Sequence, residues 1–166
     1  MDISISDMFK DVMVSQDAIE IDEICFDEDR DDFIIEFFGG CLPDDVNMDN
    51  PLEEGDKDIF WDCLRLSNGA LLMTPNIDDD DDHVPFVVKH YNGVIPPVIA
   101  GLIACIEFQK GAYDQAISVI DTTSDMMTRA MAHGVASRTG EQLAKLIEFA
   151  NSIPHRDDII RIFENR

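Results

Sequence analysis

The feature that most constrains this chain is an Asn68-Gly69 pair flanked by two apolar runs within residues 59–75. Asn and Gly tolerate the positive φ angles of a type I′ turn, whose twist matches the two strands of a β-hairpin. Large apolar side chains fall on both faces of the first strand. They are Phe60, Leu64 and Leu66 on one face and Trp61 and Cys63 on the other. Because both faces need cover, we expect this hairpin inside the sheet of a folded domain.

Three shorter apolar runs predict further strands. Residues 84–91, ended by the turn pair Asn92-Gly93, would join the hairpin in an antiparallel β-meander. Residues 19–26 and 33–38 also have the β-branched and aromatic content of strands. Residues 41–58 contain Pro, Gly and Asp that break every periodicity, so this segment is predicted to be a loop.

The C-terminal half has the pattern of helices. Residues 97–110 follow a proline pair and are apolar nearly all round, which predicts a buried helix lying across the sheet. Beyond it, helical periodicity is interrupted at residues 121–124 and by a short link between Gly134 and Gly140. A weak stripe also predicts a helix within residues 4–19. The sequence therefore predicts an α+β protein, a single domain over residues 1–166 in which an antiparallel β-meander packs against C-terminal helices.

The negative charge is concentrated in the first third of the chain. Residues 1–58 contain 20 acidic and 3 basic side chains, and the whole chain has a formal charge of −23. Such a protein repels nucleic acid and anionic membranes and is attracted to basic protein surfaces, including those that bind DNA. No apolar run approaches the roughly 18 residues of a membrane span, and the N-terminus lacks the pattern of a secretory signal. We therefore expect a cytoplasmic protein without direct nucleic-acid or membrane partners.

Signals of catalysis or metal binding are weak. Asp78–Asp82 with His83 could hold a divalent cation, but consecutive side chains do not converge on one ion, so a solvated loop is favoured. His90 has no partner at catalytic spacing, and Cys63 has no nearby base. No catalytic or phosphate-binding motif occurs, and the cysteines lack metal-ligand spacing. The sequence predicts no enzyme, cofactor or metal site. Three methionines are expected to be core residues: Met126, Met127 and Met131.

Residues 59–75 and the helix that follows them resemble the ArdB/KlcA antirestriction proteins of plasmids and other mobile elements. The matching positions are Trp61, Leu66, Ser67, Asn68, Gly69, Met73 and Pro75. The closing segment, residues 146–163, is similar to the ending of that family. Ala70, Leu71-Leu72 and Pro154-His155 depart from the family pattern. The resemblance covers residues 59–166 and leaves the acidic third outside it.

The resemblance implies a non-enzymatic protein that relieves type I restriction by binding the restriction-modification complex or an associated host protein. It transfers no functional residue. The acidic third suggests a DNA mimic, since its net charge of −17 corresponds to roughly 29 Å of duplex axis. The candidate carboxylates are Asp27, Glu28, Asp29, Asp31, Asp32, Asp44 and Asp45. Solubility alone is the other interpretation of these charges. The alternative function is an acidic adaptor or immunity-type protein that binds a basic partner unrelated to restriction, whether or not that partner binds DNA.

Overall fold

The structure is a computed structural model that describes residues 4–12, 18–23, 27–38, 60–76, 84–88, 91–95 and 97–164. In chain order the elements are α1 (Ile5–Asp11), β1 (Ile21–Glu23), α2 (Asp27–Phe37), β2 (Phe60–Leu66), β3 (Leu71–Asn76), β4 (Val84–Val88), β5 (Tyr91–Ile95), α3 (Pro97–Thr122), α4 (Met126–Ser152) and α5 (Arg156–Glu164). A three-stranded antiparallel sheet has the order β1-β2-β3, and β4 pairs with β5 in a second sheet. The predicted α+β class is confirmed.

The hairpin predicted from Asn68-Gly69 is present. β2 and β3 pair in antiparallel register from Phe60 opposite Asn76 to Arg65 opposite Leu71. Gly69 has a φ of +93°, a conformation that favours glycine because it has no Cβ. The Gly69 amide donates to the Leu66 carbonyl at 2.9 Å. This bond closes a turn whose central residues are Ser67 and Asn68, and Gly69 follows it in the left-handed conformation. The loop therefore has three residues, and the type I′ turn predicted at Asn68-Gly69 is wrong although the hairpin is present.

The third strand of this sheet differs from the prediction. It is β1, whose Ile21 lies opposite Leu66, and Ser67 helps to hold it in place. The Ser67 amide donates to the Glu20 carbonyl, and the Glu20 amide donates to Ser67 Oγ, both at 2.9 Å. The segment 84–91 instead contributes β4, and Asn92 and Gly93 lie within β5. Here the turn signal is overridden by the β-branched residues that follow it, Val94 and Ile95.

Residues 33–38 form the end of a helix, so the strand predicted there is wrong. Phe33, Ile34, Phe37 and Phe38 are buried whereas Ile35 and Glu36 are exposed, a spacing that repeats with the helical period. The charged run before them, residues 27–32, forms the first turns of α2. Negative side chains are favourable there because they oppose the partial positive charge of a helix N-terminus.

The predicted buried helix is confirmed, and it extends beyond residue 110 to become the 26-residue α3. A Cβ on Gly101 would lie 2.2 Å from the carbonyl oxygen of Met73, so only glycine allows α3 to approach β3 this closely. The predicted break appears at residues 123–125, before α4. The link predicted between Gly134 and Gly140 is wrong, because α4 is continuous through both glycines. Glycine in a helix interior costs only about 1 kcal/mol relative to alanine, which the packing of a long helix can outweigh.

The acidic first third contributes to the same hydrophobic core as the rest of the chain. Its six buried members in that cluster are Ile5, Phe9, Phe33, Ile34, Phe37 and Phe38. Asn151 at the end of α4 also binds the end of α1: its Nδ2 donates to the Phe9 carbonyl at 3.1 Å, and its Oδ1 accepts from Arg156 Nε at 2.7 Å. The first third is therefore joined to the C-terminal helices by apolar packing and by a buried amide.

Candidate interaction surfaces

The Ser-Asn-Gly turn is the point at which the sheet docks on α4. Asn68 Nδ2 donates to the Lys145 carbonyl at 2.9 Å and to Glu148 Oε1 at 3.0 Å. Its Oδ1 accepts from the Ala70 amide at 3.1 Å. Asn68 thereby uses both ends of its amide to connect a turn with a helix almost 80 positions further along the chain. This gives part of the family-like block a structural role.

The outer edge of β3 is covered by side chains from two helices. The Leu71 amide donates to Gln142 Oε1 at 3.0 Å, and Gln142 Nε2 returns a bond to the Gly69 carbonyl at 3.3 Å. Two residues on, the Met73 amide donates to Cys105 Sγ at 3.3 Å. Exposed edge amides would pair with another strand. Here the amides of residues 71 and 73 are occupied, so this edge does not recruit a partner strand.

The buried thiols are poorly suited to nucleophilic chemistry. Cys63 and Cys105 are both buried, and neither forms a disulfide. Burial raises the pKa of the Cys105 thiol to about 12, with a smaller increase from Cys63 and an opposing effect of the bond with Met73. Since the thiolate is the reactive form, Cys105 stays protonated and inert at neutral pH. Both cysteines pack in the core, as predicted for Cys63.

The candidate acidic residues fall into two groups. Asp27, Glu28, Asp29, Asp31 and Asp32 lie in the first turns of α2, and the last three of these have exposed side chains. Asp44 and Asp45 lie outside the described residues. The structure therefore places five of the seven candidates on one helix whose opposite face is in the core.

A basic side chain borders this acidic helix. Arg65 on β2 binds Glu36 of α2 at 2.9 Å, and both side chains are about half exposed. The exposed Asp22 on β1 lies opposite Arg65 in the sheet. The Arg65 guanidinium therefore offsets part of the local negative charge of this surface.

The three methionines expected in the core are instead on the surface. Met126, Met127 and Met131 are 86%, 74% and 64% exposed. They lie in the first turns of α4, next to the tip of the helical hairpin formed with α3. His133 lies in the interior of α4 and is exposed. The expectation that these three methionines lie in the core is therefore wrong.

The described residues contain no group of three or more His, Cys, Asp or Glu side chains that could hold a metal ion. Asp78–Asp82, His83 and His90 lie outside the described residues, and so do Cys25 and Cys41. Within the described ranges, no helix is both long and apolar enough to cross a membrane.

The arrangement is that of an α+β protein in which a small sheet is joined to two long helices, one acidic helix lies on the outside, and methionines are exposed near the hairpin tip. A solved structure shares this fold. It comes from work on the KlcA and ArdB proteins, described as having a novel fold and antirestriction activity against type I DNA restriction systems in vivo but not in vitro. The TM-score is 0.56 at 17% sequence identity, and the match covers 91% of this chain and 99% of that chain. No protein-family model and no curated protein matches the sequence.

The structural match confirms the suspected ArdB-like relationship at the level of the fold. It also extends further than the sequence resemblance. Residues 59–166 make up about two thirds of the chain, so a match over 91% must include much of the acidic third. At least part of residues 1–58 therefore contributes to the shared fold.

Proposed function

We propose that this chain relieves type I restriction of incoming DNA by binding a protein, without catalysing a reaction. The observation that carries the proposal is the extent of the fold match, 91% of this chain and 99% of a KlcA/ArdB structure. The sequence block from Trp61 to Pro75 supports it independently. The proposal treats residues 1–166 as one cytoplasmic domain from a mobile element, and its partner as the type I complex or a host protein associated with it.

The test is the plating efficiency of unmodified phage on a host with an active type I system. Expression of this chain should raise plating efficiency on the restricting host. It should leave the plating of modified phage, and plating on an isogenic host without the system, unchanged. Cells are the right setting because the solved relative is active in vivo but not in vitro. If a folded, well-expressed chain gave no relief, the proposal would be abandoned in favour of the acidic adaptor with an unrelated basic partner.

The acidic helix is the proposed partner-binding surface, with the seven carboxylates from Asp27 to Asp45 as its candidate residues. What supports it is the outward orientation of three carboxylates, Asp29, Asp31 and Asp32, on a helix that is fixed to the core by its opposite face. Helical residues advance by about 1.5 Å each, so these three carboxylates lie within about one turn. Arg30 lies between them in the sequence, which leaves residues 29–32 with a net charge of −2. A basic DNA-binding groove would be attracted to such a surface.

A charge-matched pair of variants tests this surface. The first changes Asp29, Asp31 and Asp32 to Asn. The second removes the same number of exposed charges outside the acidic third: Asp121→Asn, Asp158→Asn and Glu164→Gln. If the acidic helix binds the partner, the first variant should lose relief and the second should keep it. Circular dichroism confirms that both remain folded, which matters because the first variant also removes favourable charges from a helix N-terminus.

A purified type I enzyme separates a direct decoy from an indirect effect. A decoy needs no other cell component, so it should inhibit DNA cleavage by the purified enzyme, and inhibition should weaken as salt rises. Relief in cells without inhibition of the purified enzyme would remove the decoy mechanism and leave the antirestriction proposal standing. Equal relief by the two charge variants would likewise assign the acidity to solubility.

A further inference from the structure

The ends of α3 and α4 that face away from the sheet form a helical arm, which we define as residues 110–140. None of these residues belongs to the main hydrophobic cluster, whose buried members on these helices end at Ile106 and resume at Leu143, with Phe108 packed against it. At about 1.5 Å per residue, the α3 part of the arm extends roughly 20 Å. In the part of the chain that the structure describes, the arm therefore projects beyond the hydrophobic core.

Contacts within the arm are made by small side chains. Ala116 on α3 and Ala132, Ala136 and Thr139 on α4 are its buried residues. Gly140 lies against Tyr113, with room for a Cβ only at 3.4 Å from the tyrosine ring. Small residues allow two helices to approach closely, but they leave the larger apolar side chains to face elsewhere. Ile117, Val119, Ile120 and Val135 are accordingly only half-buried.

The exposed methionines enlarge this uncovered apolar surface. Met126, Met127 and Met131 are the most exposed of the large apolar side chains in the described residues. Methionine is enriched at protein interfaces, where its flexible side chain adapts to a partner. An apolar surface that continues along two antiparallel helices is the geometry that a second helical pair completes as a four-helix bundle.

The charge distribution identifies a second copy of this chain as the partner. The arm contains three acidic residues, Asp114, Asp121 and Asp125, and three basic ones, Lys110, Arg129 and Arg138. It is therefore neutral, and the entire net charge of −23 lies outside it. Two copies that met through the acidic first third, which carries a net charge of −17, would bring strongly negative surfaces together. Contact through the arms would keep the acidic bodies roughly a Debye length or more apart, since that length is about 8 Å at physiological salt.

We propose that the arm is a self-association surface through which two copies of this chain pack their α3–α4 tips into a four-helix bundle. The contact is two-fold symmetric, so that the methionines of each copy cover the half-buried isoleucines and valines of the other. The proposal is independent of the antirestriction function. It predicts an unusual salt dependence: because the remaining force between the copies is repulsion, added salt strengthens the dimer.

The test is sedimentation equilibrium of the whole chain from micromolar to near-millimolar concentration, at about 50 mM and about 500 mM NaCl, where the Debye length falls from roughly 14 to roughly 4 Å. The wild type should form a dimer whose dissociation constant decreases at the higher salt. The variant with Met126, Met127 and Met131 all changed to Ser should raise that constant at least about tenfold. The matched control is Ile35→Ser, which removes an apolar side chain that is 42% exposed on α2 and should leave the dimer unchanged.

Four outcomes would overturn the proposal. A monomer at both salt concentrations excludes the contact, and an unchanged dimer in the methionine variant places the contact elsewhere. An open series of larger species indicates a head-to-tail contact in place of the two-fold one. A monomeric wild type whose methionine variant no longer protects cells would show that another protein occupies the arm. Because all three methionines are exposed, their replacement leaves the core intact, and circular dichroism verifies this.

Discussion

Replacing Gly101 with alanine should destabilise the protein, although the same change elsewhere in α3 should stabilise it. The Cβ added at Gly101 would lie 2.2 Å from the Met73 carbonyl oxygen and 2.7 Å from Thr74 Cα, whereas ordinary contacts begin near 3.4 Å. These are backbone atoms and cannot rotate away, so α3 would have to move from β3 by about an ångström. Gly111 lies in the same helix, and nothing is within 4 Å of its added Cβ. It is therefore a matched control.

The magnitudes follow from two opposing effects. Alanine in place of glycine favours a helix by about 1 kcal/mol, which should be the net gain for Gly111→Ala. At Gly101 the same gain is opposed by overpacking, typically about 1 to 3 kcal/mol and more where backbone must shift. We expect Gly101→Ala to lose about 2 kcal/mol, which places the two variants about 3 kcal/mol apart. With a urea dependence near 2 kcal/mol/M, their unfolding midpoints should differ by roughly 1.5 M.

The measurement is urea unfolding followed by circular dichroism for the wild type and both variants. If Gly101→Ala were as stable as Gly111→Ala, α3 would not approach β3 in the way described. The close contact between α3 and β3, on which this prediction depends, would then be contradicted. If both variants were destabilised, helix propensity would not explain the effect at Gly111. Gly111→Ala would then be an unsuitable control, and the contact between α3 and β3 would not be contradicted.

Three further predictions concern buried polar groups. Asn151→Ala should lower the free energy of unfolding by about 1 to 3 kcal/mol, because the Phe9 carbonyl and Arg156 Nε lose their hydrogen bonds to Asn151. Relative to the wild type, amide hydrogen exchange should accelerate more in α1 than in α3. Asn68→Ala should lower the free energy of unfolding by a similar amount, because it removes the bonds to Lys145 and Glu148. Asn68→Asp keeps an acceptor for the Ala70 amide but loses both donated bonds, so urea unfolding should show that it regains little of this stability. Burial raises the pKa of Cys105 to about 12 from an ordinary 9.0, so the unfolded chain releases this proton at a lower pH than the folded chain does. The stability due to this group is therefore complete below pH 9 and falls as the pH rises towards 12, by at most about 1.4 kcal/mol per pH unit. The difference in unfolding free energy between the wild type and Cys105→Ala should change between pH 8 and pH 10.5, and a constant difference would contradict the prediction.

Local turn chemistry and strong periodicity explain what could be predicted from the sequence. The Asn68-Gly69 pair predicts a turn between two apolar runs, so the hairpin follows from residues that are close together in the chain. The start of α3 is equally local, because a proline pair precedes a long apolar run. The hydrogen bonds that give the turn its position on α4 involve Lys145 and Glu148, and no local signal reveals them.

The errors arose where tertiary packing decides between two local possibilities. Residues 33–38 have strand-like composition, but the burial of Phe33, Ile34 and Phe37 on one side of a helix outweighs that preference. The spacing of these apolar residues contained the helical signal, and the acidic run before them would have supported a helix start. The methionines of α4 were misplaced for another reason: an apolar stripe indicates that something covers it, but not that the cover belongs to the same chain.

The acidic third cannot be tested by deletion, because its charges and its core residues occupy the same helices. On α2, Asp31 and Asp32 are exposed while Phe33, Ile34 and Phe37 are buried. A chain beginning near residue 57 would lose all six core side chains contributed by the first third, and losses of about 2 to 5 kcal/mol for each large buried residue exceed the stability of a typical domain. Loss of antirestriction on truncation would therefore report unfolding. Only substitutions that remove charge and keep the apolar face, with a control of equal charge elsewhere, can distinguish a partner-binding acidic helix from one that maintains solubility.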